Sequence, residues 1–364
     1  MNLFSYIIWN ASPDIFTLPI PFIDKELTLR WYGLLFALGF LISQQILYYI
    51  FKKEGKPEKD VDTLTIYMVV ATVIGARLGH VLFYEPERYL SNPIDILKIW
   101  EGGLASHGAT VGILFALWLY GRKKLPGQNY LQTLDRIVIL VALTGALIRF
   151  GNFMNSEIIG KPTHSDSGVV FTRTVTEVLK SDDAVKDVKY IQVDTASNEE
   201  GYRPVKILIE FSEGDNSYDD YAQYVEGRVN SFLSFNSYVR EHINQTGYVK
   251  YKISQDESQK YYAIINTFAI PRHPAQLYES ISCIFLFAFL LWIWTKHKEK
   301  LAEGRLFAIF LIVCFGLRFL YEFLKENQVE FENSLALNMG QLLSIPLVLL
   351  GFYMLYRSYQ KKEA

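Results

Sequence analysis

The chain has 364 residues, of which 50% are hydrophobic, 15% aromatic and 20% charged, and its formal net charge is −2. So balanced a charge gives no basis for nucleic-acid binding. Its two cysteines, Cys283 and Cys314, both fall inside apolar runs, which argues against a structural disulfide or a metal pair. The apolar residues gather in long blocks with charges crowded into the gaps, and about 20 mostly apolar residues suffice to cross a bilayer core.

Residues 1–30 lack a basic leading stretch and contain Pro13, Asp14, Pro19, Pro21 and Asp24, so they read as an extracytoplasmic or interfacial arm rather than a secretory signal. Blocks of spanning length follow at roughly 31–51, 64–84, 104–121, 134–152, 276–296, 304–324 and 338–357. Small residues punctuate the second, third and fourth blocks (Gly75, Ala76 and Gly79; Gly108, Ala109 and Gly112; Gly145 and Ala146), as helices that approach closely in a membrane require. The expected fold is therefore an α-helical polytopic membrane protein with seven transmembrane helices. Residues 31–162 would hold helices 1–4, and 263–364 helices 5–7 with a tail.

Between them, residues 163–262 are polar and acidic. Val169–Val175, Val205–Phe211 and Tyr248–Ile253 read as strands by alternation, and Tyr218–Ile243 as one amphipathic helix. This segment is expected to form an α+β insert between helices 4 and 5.

Basic residues set the direction. Lys52, Lys53, Lys56 and Lys59 follow the first block, Arg122, Lys123 and Lys124 the third, and Lys296, Lys298, Lys300 and Arg305 the fifth. Arg357, Lys361 and Lys362 lie in the tail, whereas the opposite loops carry only Lys25, Arg30, Arg88, Lys98 and Lys325. The positive-inside rule then puts the N-terminus outside, the C-terminus in the cytoplasm and the insert extracytoplasmic, which an odd number of spans satisfies.

With that direction, polar residues scattered in sequence share one depth near the outer ends of the blocks. They include Tyr32, Arg77, His80, Glu101, His107, Arg149, Asn152, Glu157, Arg272, His273, Glu279, Arg318, Tyr321, Glu322, Asn338 and Gln341. Ionisable groups at such positions are costly and face cavities or partners. The inner ends are expected to carry only flanking Lys and Arg. Several arginines on one side suit an anionic group such as a phospholipid phosphate. Plainer readings stand beside this one. Arg77 pairs with Glu101 or Glu322, His80 is structural, His273 orients a loop, and Glu157 and Glu279 cap helices or form ion pairs. No His, Cys or carboxylate set has metal-ligand spacing, so neither metal nor cofactor is expected.

Six segments sharpen the reading: Leu29–Gly33 (LRWYG), Gly75–Gly79 (GARLG), Trp100–Gly108 (WEGGLASHG), Arg149–Glu157 (RFGNFMNSE) with Gly160, Arg272–Glu279 (RHPAQLYE) and Leu317–Phe323 (LRFLYEF). Together and in this order they resemble the prolipoprotein diacylglyceryl transferase family. The resemblance implies a transferase of the bacterial inner membrane with its active site toward the outer face. Its partners would be phosphatidylglycerol, a prolipoprotein signal peptide with its lipobox cysteine, and the lipid bilayer. Carried over residue by residue, it makes His107, Arg149 and Arg318 catalytic, and it places Tyr32, Arg77, Asn152, Glu157, Gly160, Tyr321 and Glu322 in substrate binding. Ala109 stands where the family often has a second glycine, and Ile159 where it often has an aromatic. An outward-facing transporter or a binding protein for an anionic lipid or solute is the rival class, although transporter sites lie nearer the midplane and show inverted repeats.

Overall fold

The structure, a computed structural model, describes residues 6–19, 26–98, 102–193, 201–214, 217–258, 260–326 and 335–363. Trp100 and Glu101 lie outside the described residues. In chain order the helices are α1 (Trp31–Lys53), α2 (Glu58–Phe83), α3 (Pro86–Ser91), α4 (Ser106–Gly121), α5 (Tyr130–Met154), α6 (Arg173–Lys180), α7 (Tyr218–Tyr224), α8 (Asn230–Phe235), α9 (Ser237–Arg240), α10 (Ala275–His297), α11 (Arg305–Tyr321) and α12 (Met339–Glu363). The strands are β1 (Ile7–Trp9), β2 (Asp14–Pro19), β3 (Glu26–Arg30), β4 (Val169–Phe171), β5 (Val185–Gln192), β6 (Arg203–Phe211), β7 (Ile243–Asn244), β8 (Lys250–Gln255) and β9 (Tyr261–Ala269).

Among the described residues, six helices are long and apolar enough to cross a membrane: α1, α2, α5, α10, α11 and α12. The chain is thus a polytopic membrane protein. The block at 104–121 departs from expectation. Its helix, α4, has 16 residues, about 24 Å at the usual rise, which is short of a bilayer core. The cause is local. Ala105 is extended, with φ −104° and ψ 122°, and its N–H meets the Ala76 carbonyl at 2.9 Å, so the helical backbone begins at Ser106.

The chain divides into two compact units. The first comprises Met1–Leu34, Arg149–Tyr278 and Tyr321–Leu335. At its centre β9 is flanked by β6 on one side and by β8 and β7 in succession on the other, with β5 beyond β6, every pairing antiparallel. Alternate residues of β6 (Val205, Ile207, Ile209 and Phe211) are buried, the period of two that a one-sided sheet demands. They pack with Val175 and Leu179 of α6 and with Tyr221, Val225, Val229 and Leu233 at fourfold spacing.

The details correct several expectations. Val169–Val175 is not one strand. β4 stops at Phe171, and Val175 is buried with Leu179 on a helix, although its β-branched neighbours imitate strand alternation. The expected helix Tyr218–Ile243 is interrupted by a π turn at Val225–Val229 and by Asn236, whose side chain accepts the Tyr238 and Val239 N–H groups and starts a new helix. The sheet also continues past residue 262, because its central strand ends at Ala269. In the N-terminal arm, β1 pairs in parallel with β4, and β2 pairs antiparallel with β3.

The second unit comprises Leu35–Ile148, Glu279–Leu320 and Ala336–Ala364. Its core joins Leu47 and Ile50 of α1, Leu64 of α2, Leu117 of α4, Ile139 of α5, Leu290 and Trp294 of α10, and Leu306 of α11. α2 and α4 meet backbone to backbone. A Cβ on Gly75 would lie 2.5 Å from the Gly108 carbonyl oxygen, and one on Gly108 would lie 2.3 Å from that of Gly75.

Where α1 ends and α2, α5 and α11 begin, the expectation of nothing but flanking basic residues fails. Glu54, its side chain fully buried, accepts hydrogen bonds from Arg136 at 2.8 and 3.0 Å and from the Trp294 indole at 2.7 Å, and pairs with Lys56 at 2.6 Å. Burial alone would raise the Glu54 carboxyl, but these donors outweigh it and hold it below the usual carboxylate range. Asp60 accepts from Gln128 at 2.7 Å, and Asp135 receives the Gly304 and Phe307 N–H groups at 2.7 and 2.9 Å, capping α11. The charges of Asp135 and Arg136 are isolated within an apolar run, so their partners, distant in sequence, could not be read from it.

Candidate active site

The site residues fall in both units, and each set is built by its own local structure. In the first unit the centre is the turn that leaves α5. The helix ends with the Asn155 N–H on the Gly151 carbonyl at 3.0 Å, and the chain then folds back so that the Glu157 N–H meets the Asn152 carbonyl at 2.9 Å. That reversal forces Ser156 and Ile158 to φ values of 53° and 55°. Left-handed conformations cost non-glycine residues about 1–3 kcal/mol each and persist only where surrounding structure imposes them.

Glu157 is exposed, and amides surround it. Asn152 donates to one carboxylate oxygen at 3.2 Å and Asn155 to the other at 3.0 Å, while the Gln276 amide donates to the Glu157 carbonyl. With their NH₂ groups committed to Glu157, Asn155 and Gln276 turn their carbonyl oxygens away. Those two oxygens and the Ser156 hydroxyl are buried without a hydrogen-bond partner among the described residues. Unmet buried polar atoms cost about 1–3 kcal/mol each, so this turn is held against its local preference.

Other predicted residues of this unit gather around the turn. Tyr32, partly exposed, packs its Cα 3.1 Å from the point where a Cβ on Gly151 would be, and it lies within electrostatic reach of Glu157 and Arg149. Gly160 serves close backbone packing. Its N–H meets the His273 carbonyl at 3.0 Å, and a Cβ there would lie 2.5 Å from that same oxygen and 2.8 Å from the Leu324 carbonyl. Glu322 pairs with Lys325 at 3.2 Å, both nearly buried, and Tyr321 stands 6.4 Å from Tyr278, ring to ring. Arg272 is structural: it donates to the Glu241 and Gly160 carbonyls at 2.9 and 3.1 Å and pairs with Glu326 at 2.8 Å. Burial lowers the His273 imidazole below its ordinary value, and its Nδ1 lies 3.3 Å from the Tyr278 hydroxyl.

In the second unit the Gly75–Gly108 contact fixes the start of α4 and with it His107. That imidazole is exposed, 5.2 Å from the Phe83 ring and 5.8 Å from the Tyr84 ring. Arg77, counted among the substrate-binding residues, is committed elsewhere. It is 3% exposed, and its guanidinium donates to five backbone carbonyls: Ile96 at 2.8 Å, Gly102 at 2.6 Å, Gly103 at 3.2 Å, Asp95 at 2.5 Å and Lys98 at 3.2 Å. Arg318 is exposed in the last turn of α11. Asn338 and Gln341 form a reciprocal N-terminal cap on α12, at 2.9 and 3.1 Å.

Residues 19–357 match the family described as prolipoprotein diacylglyceryl transferase. The chain belongs to the prolipoprotein diacylglyceryl transferase family. Its similar relatives include proteins named phosphatidylglycerol–prolipoprotein diacylglyceryl transferase from three bacteria. That of Tolumonas auensis is 35% identical over 98% of this chain and 99% of the relative. That of Chloroherpeton thalassium is 34% identical over 100% and 98%, and that of Bacteroides fragilis 32% identical over 100% and 99%. The matched stretch runs through residues 163–262, so the insert is covered by the family match.

Sequence reasoning within the family frame missed Trp9 and Arg173, which touch the signature turn from outside it. The Trp9 indole donates to the Phe153 carbonyl at 3.1 Å, and Arg173 donates to the Asn155 carbonyl. Neither stands in a motif. The β-branched run at 169–175 drew attention as a strand and hid the helix that carries Arg173.

Proposed function

We propose that this chain transfers the diacylglyceryl group of phosphatidylglycerol to the thiol of a prolipoprotein's lipobox cysteine, the first step of bacterial lipoprotein maturation. The glyceryl C–O bond to phosphate breaks, a C–S thioether forms, and the phosphate leaves as glycerol 1-phosphate while the thiol proton passes to a base. The observation that carries this reading is family membership over residues 19–357 with the titratable motif residues intact.

The roles follow from the chemistry. The thiolate is the nucleophile, so a base must take the thiol proton, and His107 is the exposed imidazole for it. The departing phosphate monoester needs positioned cations, the part given to Arg149 and Arg318. Asn152, Tyr32 and Glu157 orient lipid or arginine, with Tyr321 and Glu322 in support. Arg77 holds residues 95–98 and 102–103, since its donors are spent on carbonyls there. Gly160 contributes by close packing rather than by touching lipid.

The reading also carries a topology. α4 serves as a short seventh span, the N-terminus and residues 163–262 lie outside the bacterial inner membrane, and the C-terminus lies in the cytoplasm. The basic loops support this. The experiment is direct: purified protein is incubated with phosphatidylglycerol vesicles and a lipobox peptide. A thioether-linked product is expected, and Arg149→Ala and Arg318→Ala should each reduce it about a hundredfold or more. No product from intact protein, or full activity in both variants, would sink the reading and leave a transporter or a binding protein.

A further inference from the structure

The turn that displays Glu157 is expensive and does not hold itself. Two of its residues are left-handed without being glycine, and the three buried polar atoms at Asn155, Ser156 and Gln276 lack hydrogen-bond partners among the described residues. Its carbonyls, however, are gripped from two directions. From the N-terminal arm, Trp9 packs on Phe153, the rings tilted by 35° with centres 4.3 Å apart, and donates its indole N–H to the Phe153 carbonyl at 3.1 Å. From the first helix of the insert, Arg173 donates to the Asn155 carbonyl and pairs with Glu177 at 2.8 Å, which fixes the guanidinium.

The two grips form one piece. β1 pairs with β4, the Thr172 N–H meets the Trp9 carbonyl at 3.0 Å, and Phe153, Val169 and Phe171 share a small buried core with Trp9 packed against it. Phe153 and Asn155 lie on either side of the point where α5 ends. Their carbonyls therefore set the direction in which the chain turns, and so the direction of Glu157.

We propose that Trp9 and Arg173 are positioning residues for diacylglyceryl transfer, acting through the Glu157 turn; this rests on the transfer reading above. The N-terminal arm and the insert are then parts of the catalytic apparatus, not passive additions. Arg173 contributes more than Trp9, because a charged donor makes the stronger hydrogen bond.

The test uses full-length protein in detergent with phosphatidylglycerol and a lipobox peptide, recording kcat, KM for the lipid and Tm. Arg173→Gln is expected to lower kcat about tenfold, with KM within about twofold and Tm little changed, because small misplacements of a reacting group are costly. Arg173→Lys, which keeps a charged donor, should recover most of that loss. Trp9→Phe, which keeps the ring contact but loses the N–H, should lower kcat about threefold. In a Glu157→Ala background, Arg173→Gln should cost less than about twofold, since its target is already gone.

Independent, multiplying losses in that background would overturn the inference, as would a fall in Tm with kcat untouched. Should Arg173→Gln fail to fold, Arg173→Lys and Trp9→Phe decide the matter on kcat alone. A wild-type protein that forms no thioether overturns the transfer reading itself. A wild type that does, beside an Arg173→Gln variant of equal kcat, overturns only the positioning role.

Discussion

Glu54 and Glu157 are each a carboxylate ringed by side-chain donors close to a helix end, and they are treated in opposite ways. Glu54 is buried and receives Arg136, Lys56 and Trp294, two of them cationic. Glu157 is exposed and receives two neutral amides, beside backbone held in left-handed conformations and polar atoms without partners. A carboxylate so thoroughly compensated has nothing left to give a substrate, and its cluster locks helices together. One held by neutral donors on a strained turn keeps its charge available. The comparison sets a locked polar cluster apart from an available one, a distinction that residue type and depth do not draw.

The largest expected effect is on the locked cluster. Glu54→Ala leaves buried Arg136 with only the distant Asp135 carboxylate, 4.0 Å away, and should destabilise the protein by about 3–5 kcal/mol. Activity per folded molecule should stay within about twofold, because the Glu54 side chain is fully buried and its acceptors are taken by Arg136, Lys56 and Trp294. Thermal unfolding beside the transfer assay separates the two. The pH dependence has a definite sign. The folded Glu54 carboxyl titrates below its unfolded value of 4.5, so its contribution is complete above that pH and is lost as pH falls through the lowered folded value. Tm should therefore drop on acidification below about pH 4.5, and Glu54→Ala should flatten that part of the curve.

Glu157→Ala should do the reverse, lowering transfer about a hundredfold while moving Tm only slightly. Equal losses of stability in the two variants would erase the distinction drawn here.

The contrast also explains what the sequence could and could not convey. Membrane helices were legible because spanning length and apolarity are local properties, and α1, α2, α5, α10, α11 and α12 lie where the apolar blocks fall. α4 came out shorter because the backbone at Ala105 is extended and tied to the Ala76 carbonyl, a contact between distant residues. Motif residues such as Asn152 and Glu157 could be named, but not that they bond to each other. The five backbone carbonyls that Arg77 meets carry no side-chain signature and could not be read from the sequence. Arg136 drew no attention, because its partner Glu54, bonded at 2.8 and 3.0 Å, stands 82 positions away.

Gly160→Ala probes how tightly the turn is seated. The added methyl would meet the His273 carbonyl oxygen at 2.5 Å and the Leu324 carbonyl oxygen at 2.8 Å, both backbone atoms that cannot swing aside. Overpacking of this kind costs about 1–3 kcal/mol, and here it should also reduce transfer, because residues 160–161 are bonded to the chain at His273 and Leu324. A variant with wild-type Tm and activity would mean that the turn tolerates displacement, and the case for its seating would fail.

The smallest effect tests whether the strain itself matters. Ser156 combines a φ of 53° with a buried hydroxyl that has no partner among the described residues. Glycine there removes the steric penalty of about 1–2 kcal/mol and the unmet hydroxyl. Against this, the unfolded chain gains freedom worth about 0.4–1 kcal/mol. Ser156→Gly should therefore stabilise the protein by about 1 kcal/mol while lowering kcat by about threefold or less, because the turn is freer to wander. No such gain is available in the Glu54 cluster, where each described charge is already paired. A fall in Tm would show that the Ser156 hydroxyl has a partner in solution, and the turn would then be no more strained than the cluster it is set against.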